Sequence, residues 1–172
     1  PSPHIIFDTM GFGSSPARFK QASARYSSWL TGLFRESIQM VADGIGLQLD
    51  SIETRFSRAL ATRDLDVAAG LISKGSIAGQ RWEWAGMRGG KKRIVHETIW
   101  RVHDSIGEHW PRGNHSIAIK GQPNMYLEFG HNWNDDPGST TSMHAVNSVP
   151  YVCAAPSGRQ TFLDLPWIMG RG

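Results

Sequence analysis

The sequence predicts an α+β fold: a mixed, mostly antiparallel sheet of five or six strands with helices covering one face. Three observations point there. Apolar residues recur at helical spacing across 16–46 and again across 139–155, several runs between them alternate with period two, and Arg88-Gly89-Gly90-Lys91 is a tight turn between two such runs. The 172 residues, 40% apolar and 19% charged, suit one folded domain. A chain of this size buries roughly two thirds of the surface its unfolded form exposes.

The elements follow in order. His4 to Phe7, β-branched and aromatic, is predicted as a strand ending at Asp8. The turn Gly11-Phe12-Gly13-Ser14-Ser15-Pro16 comes next, with Ser15 as helix N-cap and Pro16 at the first helical position. Phe19, Tyr26, Leu30 and Leu33 or Phe34 continue at helical spacing. Ile38, Val41, Ala42 and Ile45 carry the pattern to the stop signals Gly44 and Gly46, and one helix or two fits this run. Ile52, Thr54 and Phe56 alternate with Glu53, Arg55 and Ser57, as in a strand with one face covered.

Val67 to Ile72 reads as a short apolar strand, and Gly75 and Gly79 mark bends before a strand over Gln80 to Met87. The glycine turn then returns the chain as Lys92 to His103. His115 to Lys120 and Met125 to Trp133 form a second hairpin across Gly121-Gln122-Pro123-Asn124. Ser139 to Ala155 is predicted as a helix with Met143, Val146, Val149 or Pro150, and Cys153 inward, and with a kink or new turn at Pro150. The tail Phe162 to Trp167 is apolar, broken by Pro166, and predicted as extended packing.

Several function classes fall away on composition. Net charge is +3 and the basic residues are scattered, apart from Lys91, Lys92 and Arg93 at a hairpin tip, so no nucleic-acid footprint is present. No apolar run approaches the roughly 20 residues that span a bilayer, and no basic-then-apolar leader opens the chain. The single cysteine, Cys153, excludes an internal disulfide and a thiol-rich metal site and favours a reducing, cytoplasmic setting. The chain opens on PSPHIIFD without an initiating Met, and is expected to begin inside a longer protein.

Gly11, Gly13, Ser14 and Ser15 are the first candidate site. A strand running into a Gly/Ser turn at a helix N-terminus leaves backbone N–H groups aimed at one point, where carboxylate or phosphate binds. An ordinary capped turn has the same residues and needs no ligand. The turn lacks a G-x-G-x-x-G pattern, so it is not a dinucleotide loop, and no segment of this chain is expected to bind a nucleotide cofactor.

On the strand from Lys92 to His103, either His96, Thr98 and Trp100 or Glu97, Ile99 and Arg101 face the interior. The first set, with Trp82 and Trp84, has the ring-rich character of a ligand wall, and His96 there could exchange a proton near neutrality. Satisfied core residues beneath a helix produce the same pattern. His109, within Glu108-His109-Trp110-Pro111, lies in the connection between hairpins, where sites gather. His144 and Asn147, three positions apart on a predicted helix, share a face and could reach one ligand, though a plain polar face explains them too. None of His96, His103, His109, His115, His131 and His144 has an acidic partner at a recognised ligand spacing, so no metal site is expected. Cys153, in an apolar helical context, is expected to be core rather than a nucleophile.

Four motifs then stand in a recognisable order: Asp8-Thr9-Met10-Gly11-Phe12-Gly13, Val67-Ala68-Ala69-Gly70, Gly75-Ser76-Ile77-Ala78-Gly79 and Asn147-Ser148-Val149-Pro150. With the elements between them, they make the chain resemble, over essentially its whole length, the C-terminal domain of proteins similar to 2,4-diaminopentanoate dehydrogenase, themselves dihydrodipicolinate-reductase-like. The resemblance implies a two-domain oxidoreductase. Its N-terminal Rossmann domain, absent here, would bind NAD or NADP, and the present domain would supply substrate contacts and homo-oligomer assembly while being inactive alone.

In dihydrodipicolinate reductases the corresponding loop carries paired histidines, a lysine and a Ser-Gly-Thr turn that grips the substrate carboxylate. Here it reads Met10-Gly11-Phe12-Gly13-Ser14-Ser15, with neither histidine pair nor lysine, so the resemblance implies a different small amino or imino acid. Ala155-Pro156-Ser157-Gly158 imitates the reductase signature but reads as a helix-ending turn. Two readings from other classes stand beside this one. The chain could be a small-molecule binding or assembly module using the Trp82, Trp84 and Trp100 wall, or a cofactor-free lyase or isomerase with a base such as His96 or His144.

Overall fold

A computed structural model of the chain describes residues 3–113, 115–129 and 137–168. The fold is α+β, and the chain divides into two compact units, 1–111 and 112–172.

The first unit opens on a π-helical turn, Ile5–Thr9, where a strand over His4 to Phe7 is predicted. Local partners decide the difference. The Met10 N–H donates to the Ile5 carbonyl at 2.9 Å, and His4 Nδ1 lies 2.8 Å from the Asp8 carboxylate four residues on. These contacts satisfy groups that an isolated strand would have to pair against a neighbour.

Two helices follow: α1, Pro16–Ala22, and α2, Ala24–Gly44. Ser15 caps α1 as predicted, its Oγ accepting from the Arg18 N–H. The break falls at buried Ser23, whose hydroxyl donates to the Phe19 carbonyl at 2.7 Å.

Five strands complete the unit: β1 (Ser51–Leu60), β2 (Leu65–Val67), β3 (Gly70–Ile72), β4 (Ile77–Arg88) and β5 (Lys91–Arg101). The predicted single sheet of five or six mixed strands is not formed. Among the described residues every strand pair is antiparallel, in a three-stranded sheet of order β1-β4-β5 and two separate two-stranded ribbons. The segment read as one strand from Val67 to Ile72 belongs to a small hairpin that pairs Leu65 with Ile72. An all-apolar run does not reveal a reversal in its middle, and here the base of the hairpin is closed by a side chain, Asp64, which accepts the Lys74 N–H at 2.7 Å.

Strand register separates the two faces of the main sheet. Ile52, Gly86 and Ile94 form one row of the inner face, followed by Thr54, Trp84 and His96, then Phe56, Trp82 and Thr98, then Arg58, Gln80 and Trp100. Leu30 and Ile38 of α2 pack on Trp82 and Trp84, and the Phe34 ring stacks on Trp84 at 4.4 Å and on His96 at 4.3 Å. Gly86 is needed for this approach, because a Cβ there would lie 2.8 Å from Leu49 and 3.0 Å from Ile38. The outer face carries charges, with Arg81 paired to Glu97 and Lys92 to Glu83. A second core, including Met10, Phe12, Phe19, Leu65, Ile72 and Ile77, joins the start of the chain to the β2–β3 hairpin and the beginning of β4.

The second unit contains β6 (His115–Ile119) paired with β7 (Met125–Phe129), and α3 (Pro137–Ala154) with Pro150 inside it. Residues 130–133 of the predicted hairpin, and His131, lie outside the described residues. Cys153, expected to be core, is exposed, as are Met143, Val146, Val149 and Val152. Apolar residues spread around α3, so their spacing does not select an inward side. The tail predicted as extended contains a turn in which the Thr161 N–H and hydroxyl both donate to the Asp164 carboxylate, and these bonds hold that carboxyl below its usual range.

Candidate functional site

The glycine loop between the π-helical turn and α1 is tied to β4 from two directions. Gly13 N–H donates to the Ile77 carbonyl at 2.8 Å, and Ile77 N–H donates to the Ser14 carbonyl at 2.9 Å. From below, the fully buried Gln80 side chain donates to the Met10 carbonyl at 2.7 Å and accepts the Trp82 indole N–H at 3.2 Å. Gly13 has φ +74°, a conformation open to glycine, and this lets the loop pass close over the Phe7 ring.

This stitching corrects one expectation. The loop is predicted to leave backbone donors free for an anion, yet the N–H groups of Met10, Phe12, Gly13 and Ser14 donate to the carbonyls of Ile5, Ile6, Ile77 and Gly11. The Ser14 hydroxyl also donates to Gly11, at 2.6 Å. The reversal that makes the turn compact uses up those donors internally. The charged side chains flanking the loop are Asp8 and Arg18.

A shallow depression of about 340 Å³ lies beside the loop. Phe7, Phe12 and Leu71 give it an apolar lining, Gly13 and Ser14 contribute the loop, and Asp8 and Arg18 bring opposite charges. A lining of this kind suits a small molecule bearing both an ammonium and a carboxylate group, with hydrocarbon between or beside them. A larger depression of about 590 Å³ lies near Gly46 and Asp50, where Arg88 donates to the Gln48 carbonyl and Asp50 accepts the Gly89 N–H, while in the first depression Asp8 is partnered by His4.

The other predicted site residues are dispersed. Gly11 packs against Phe19 and Ser23, and Ser15 is occupied as the α1 cap. The ring-rich face is filled by α2 rather than open: His96 is half-buried against Phe34 and Trp84 with its Nε2 3.0 Å from the Thr98 hydroxyl, and Trp100 packs against Tyr26. His109 is exposed, its ring edge-on to buried Trp110. In the second unit Asn147 is half-buried, while His144 is exposed and its ring lies 5.0 Å from that of Phe162.

Sequence reasoning did not single out Asp8, Arg18, Phe7 or Leu71. The two charged residues bracket the glycine turn, which is a usable signal. Leu71 arrives only through the β2–β3 hairpin and has none. Among the described residues no group of three His, Cys, Asp or Glu side chains is placed to hold a metal, and no helix is long and apolar enough to cross a membrane.

The model of the 2,4-diaminopentanoate dehydrogenase C-terminal domain family matches residues 3–170, nearly the whole chain. The chain belongs to that family. It is 30% identical over 141 residues to an amine dehydrogenase from Streptomyces virginiae, an alignment covering 75% of this chain and 39% of that protein. It is 29% identical over 137 residues to the 2,4-diaminopentanoate dehydrogenase of Acetoanaerobium sticklandii, covering 77% of this chain and 37% of that one. The solved structure of an amine dehydrogenase from Mycobacterium smegmatis shares the fold, with a TM-score of 0.68 and 22% identity over 99% of this chain and 48% of that chain. This member of the family therefore spans about half the length of the curated relatives it matches.

Proposed function

We propose that the chain is the substrate-contacting domain of an NAD(P)-dependent oxidoreductase acting at a carbon–nitrogen bond of a small amino or imino acid. The observation that carries this reading is that Asp8, partnered by His4, and Arg18 both line one depression with apolar Phe7, Phe12 and Leu71, in a family whose named relatives are amine and diaminopentanoate dehydrogenases. Arg18 would take the substrate carboxylate, for which its planar fork of donors is suited. Asp8 would hold an ammonium group, and the loop fastened by Gln80 and Ile77 would keep both in register.

The described residues form antiparallel sheets and not the parallel βαβ unit of a Rossmann domain. The nicotinamide and its hydride chemistry would belong to another part of a longer chain, and this domain's share is to bind and orient the substrate.

The test uses the full-length natural protein, with NAD⁺ or NADP⁺ reduction followed across a panel of amino acids, diamino acids and plain amines. Arg18→Ala should lower kcat/KM by roughly 10- to 100-fold for substrates bearing a carboxylate, the worth of one charge-assisted hydrogen bond or pair, and leave plain amines unchanged. Asp8→Asn should act on the ammonium-bearing substrates. Absence of nicotinamide reduction with every nitrogen-bearing substrate, or equal losses from Arg18→Ala on substrates with and without a carboxylate, would sink the reading.

A further inference from the structure

The aromatic wall of the depression beside the glycine loop is held by two glycines on different elements. Gly13 in the loop and Gly70 at the start of β3 both have positive φ, +74° and +132°. A Cβ at Gly13 would lie 3.2 Å from Cδ1 of Phe7, and one at Gly70 would lie 3.4 Å from Cε2 and Cζ of the same ring. The Phe7 ring is therefore seated along two edges, its Cδ1–Cε1 edge on the loop and its Cε2–Cζ edge on the β2–β3 hairpin. It also packs against the core that holds Phe12 and Ile72, so it has little room to swing aside for a ligand.

Leu71, the residue after Gly70, adds to the same lining. Its neighbour Ile72 is fully buried, whereas Leu71 points to the opposite side of β3 and is 62% exposed. Core packing does not account for a large aliphatic side chain there. The depression the two residues border has a volume of about 340 Å³, at the small end of ligand sites. The inference rests on the substrate reading above and deepens it. We propose that Phe7 and Leu71 are the specificity-determining residues of this site, confining the hydrocarbon of the amino acid to a short straight chain while Asp8 and Arg18 take its charged ends. Phe7 is the fixed stop, set by Gly13 and Gly70, and Leu71 extends it toward solvent. An apolar wall of this kind discriminates by roughly 10- to 200-fold against a methylene it has no room for.

The test uses the full-length natural protein, with nicotinamide reduction followed on the homologous pair 2-aminobutanoate and 2-aminohexanoate. The wild-type protein should favour the shorter substrate in kcat/KM by roughly 10-fold or more. Phe7→Leu trims the ring but keeps an apolar side chain against the core, and Leu71→Ala shortens the exposed part of the wall. Each should raise the long-to-short ratio of kcat/KM by about 10-fold. Thermal melting followed by circular dichroism reports whether each variant is folded, and Leu71→Ala, at an exposed position, carries the test even where Phe7→Leu lowers stability. A wild-type protein that turns over the longer substrate at least as well as the shorter overturns the proposal. So does a ratio within about twofold of wild type in Leu71→Ala or in folded Phe7→Leu. Those outcomes leave the amino-acid reading standing, whereas a wild-type protein that reduces no nicotinamide with any nitrogen-bearing substrate removes that reading and this inference together.

Discussion

The inner face of the three-stranded sheet and the apolar face of the β6–β7 ribbon are written with the same alternation, and they meet opposite fates. Trp84 is 0% exposed beneath α2, whereas Leu127 at an equivalent inward-type position is 45% exposed. Alternation specifies that a strand has an apolar side. It does not supply what lies on it. For the first sheet the cover is the helix that immediately precedes β1, so sequence neighbourhood delivers it; for the ribbon the next described element along the chain is also a helix, α3, and Leu127 nonetheless remains exposed.

The largest effect expected from this difference comes from truncating the covered side. Trp84→Ala removes a ring that stacks on Phe34 and neighbours Trp82, and should cost about 3–5 kcal/mol. Tyr126→Ser, on the polar side of the ribbon, should stay within about 0.5 kcal/mol. Guanidinium denaturation followed by far-ultraviolet circular dichroism checks both. Comparable losses at the two positions would erase the contrast.

A middle effect is expected where the covered face meets the glycine loop. Gln80→Leu keeps the side-chain volume but strips the Met10 carbonyl and the Trp82 indole N–H of their buried partner. The cost should be about 1–3 kcal/mol. Faster amide hydrogen exchange should appear around Gly13 and Ile77, where loop and β4 exchange hydrogen bonds, and normal protection there would show that the backbone bonds alone hold the loop.

The smallest effect concerns Tyr26, which borders both cores of the first unit. Burial raises its phenol above the ordinary value. The folded state therefore keeps a proton that the unfolded chain releases, so this contribution is complete below about pH 10 and is lost as pH rises toward the raised value. Tyr26→Phe should change stability by about 0.5 kcal/mol or less at pH 7 and flatten the alkaline decline. Parallel declines for the two proteins would mean that the hydroxyl ionises as freely in the folded state as in the unfolded one.

Much of the first unit was legible residue by residue. Ser15 ahead of Pro16 marked the start of α1, the Gly89-Gly90 turn marked the β4–β5 hairpin, and the alternation from Ile52 to Ser57 marked β1 as half-covered. The errors cluster where the deciding partner is distant or is a side chain. His4 to Phe7 has the composition of a strand but closes on Asp8 and Met10 as a helical turn. The candidate site was legible in part: the glycine loop was found, but its donors were assigned to a ligand when Ile77, three strands later, takes or gives two of the bonds.

By itself the sequence determined the α+β class, the order of the principal elements and membership in a dehydrogenase domain family, because those depend on local periodicity, turn chemistry and motif order. Tertiary structure alone decided that the ring-rich face is a core under α2 and not a wall, and that Leu71 joins Phe7 and Arg18 around one depression. Periodicity states which side of an element avoids water, but only the packed chain states which neighbour excludes it.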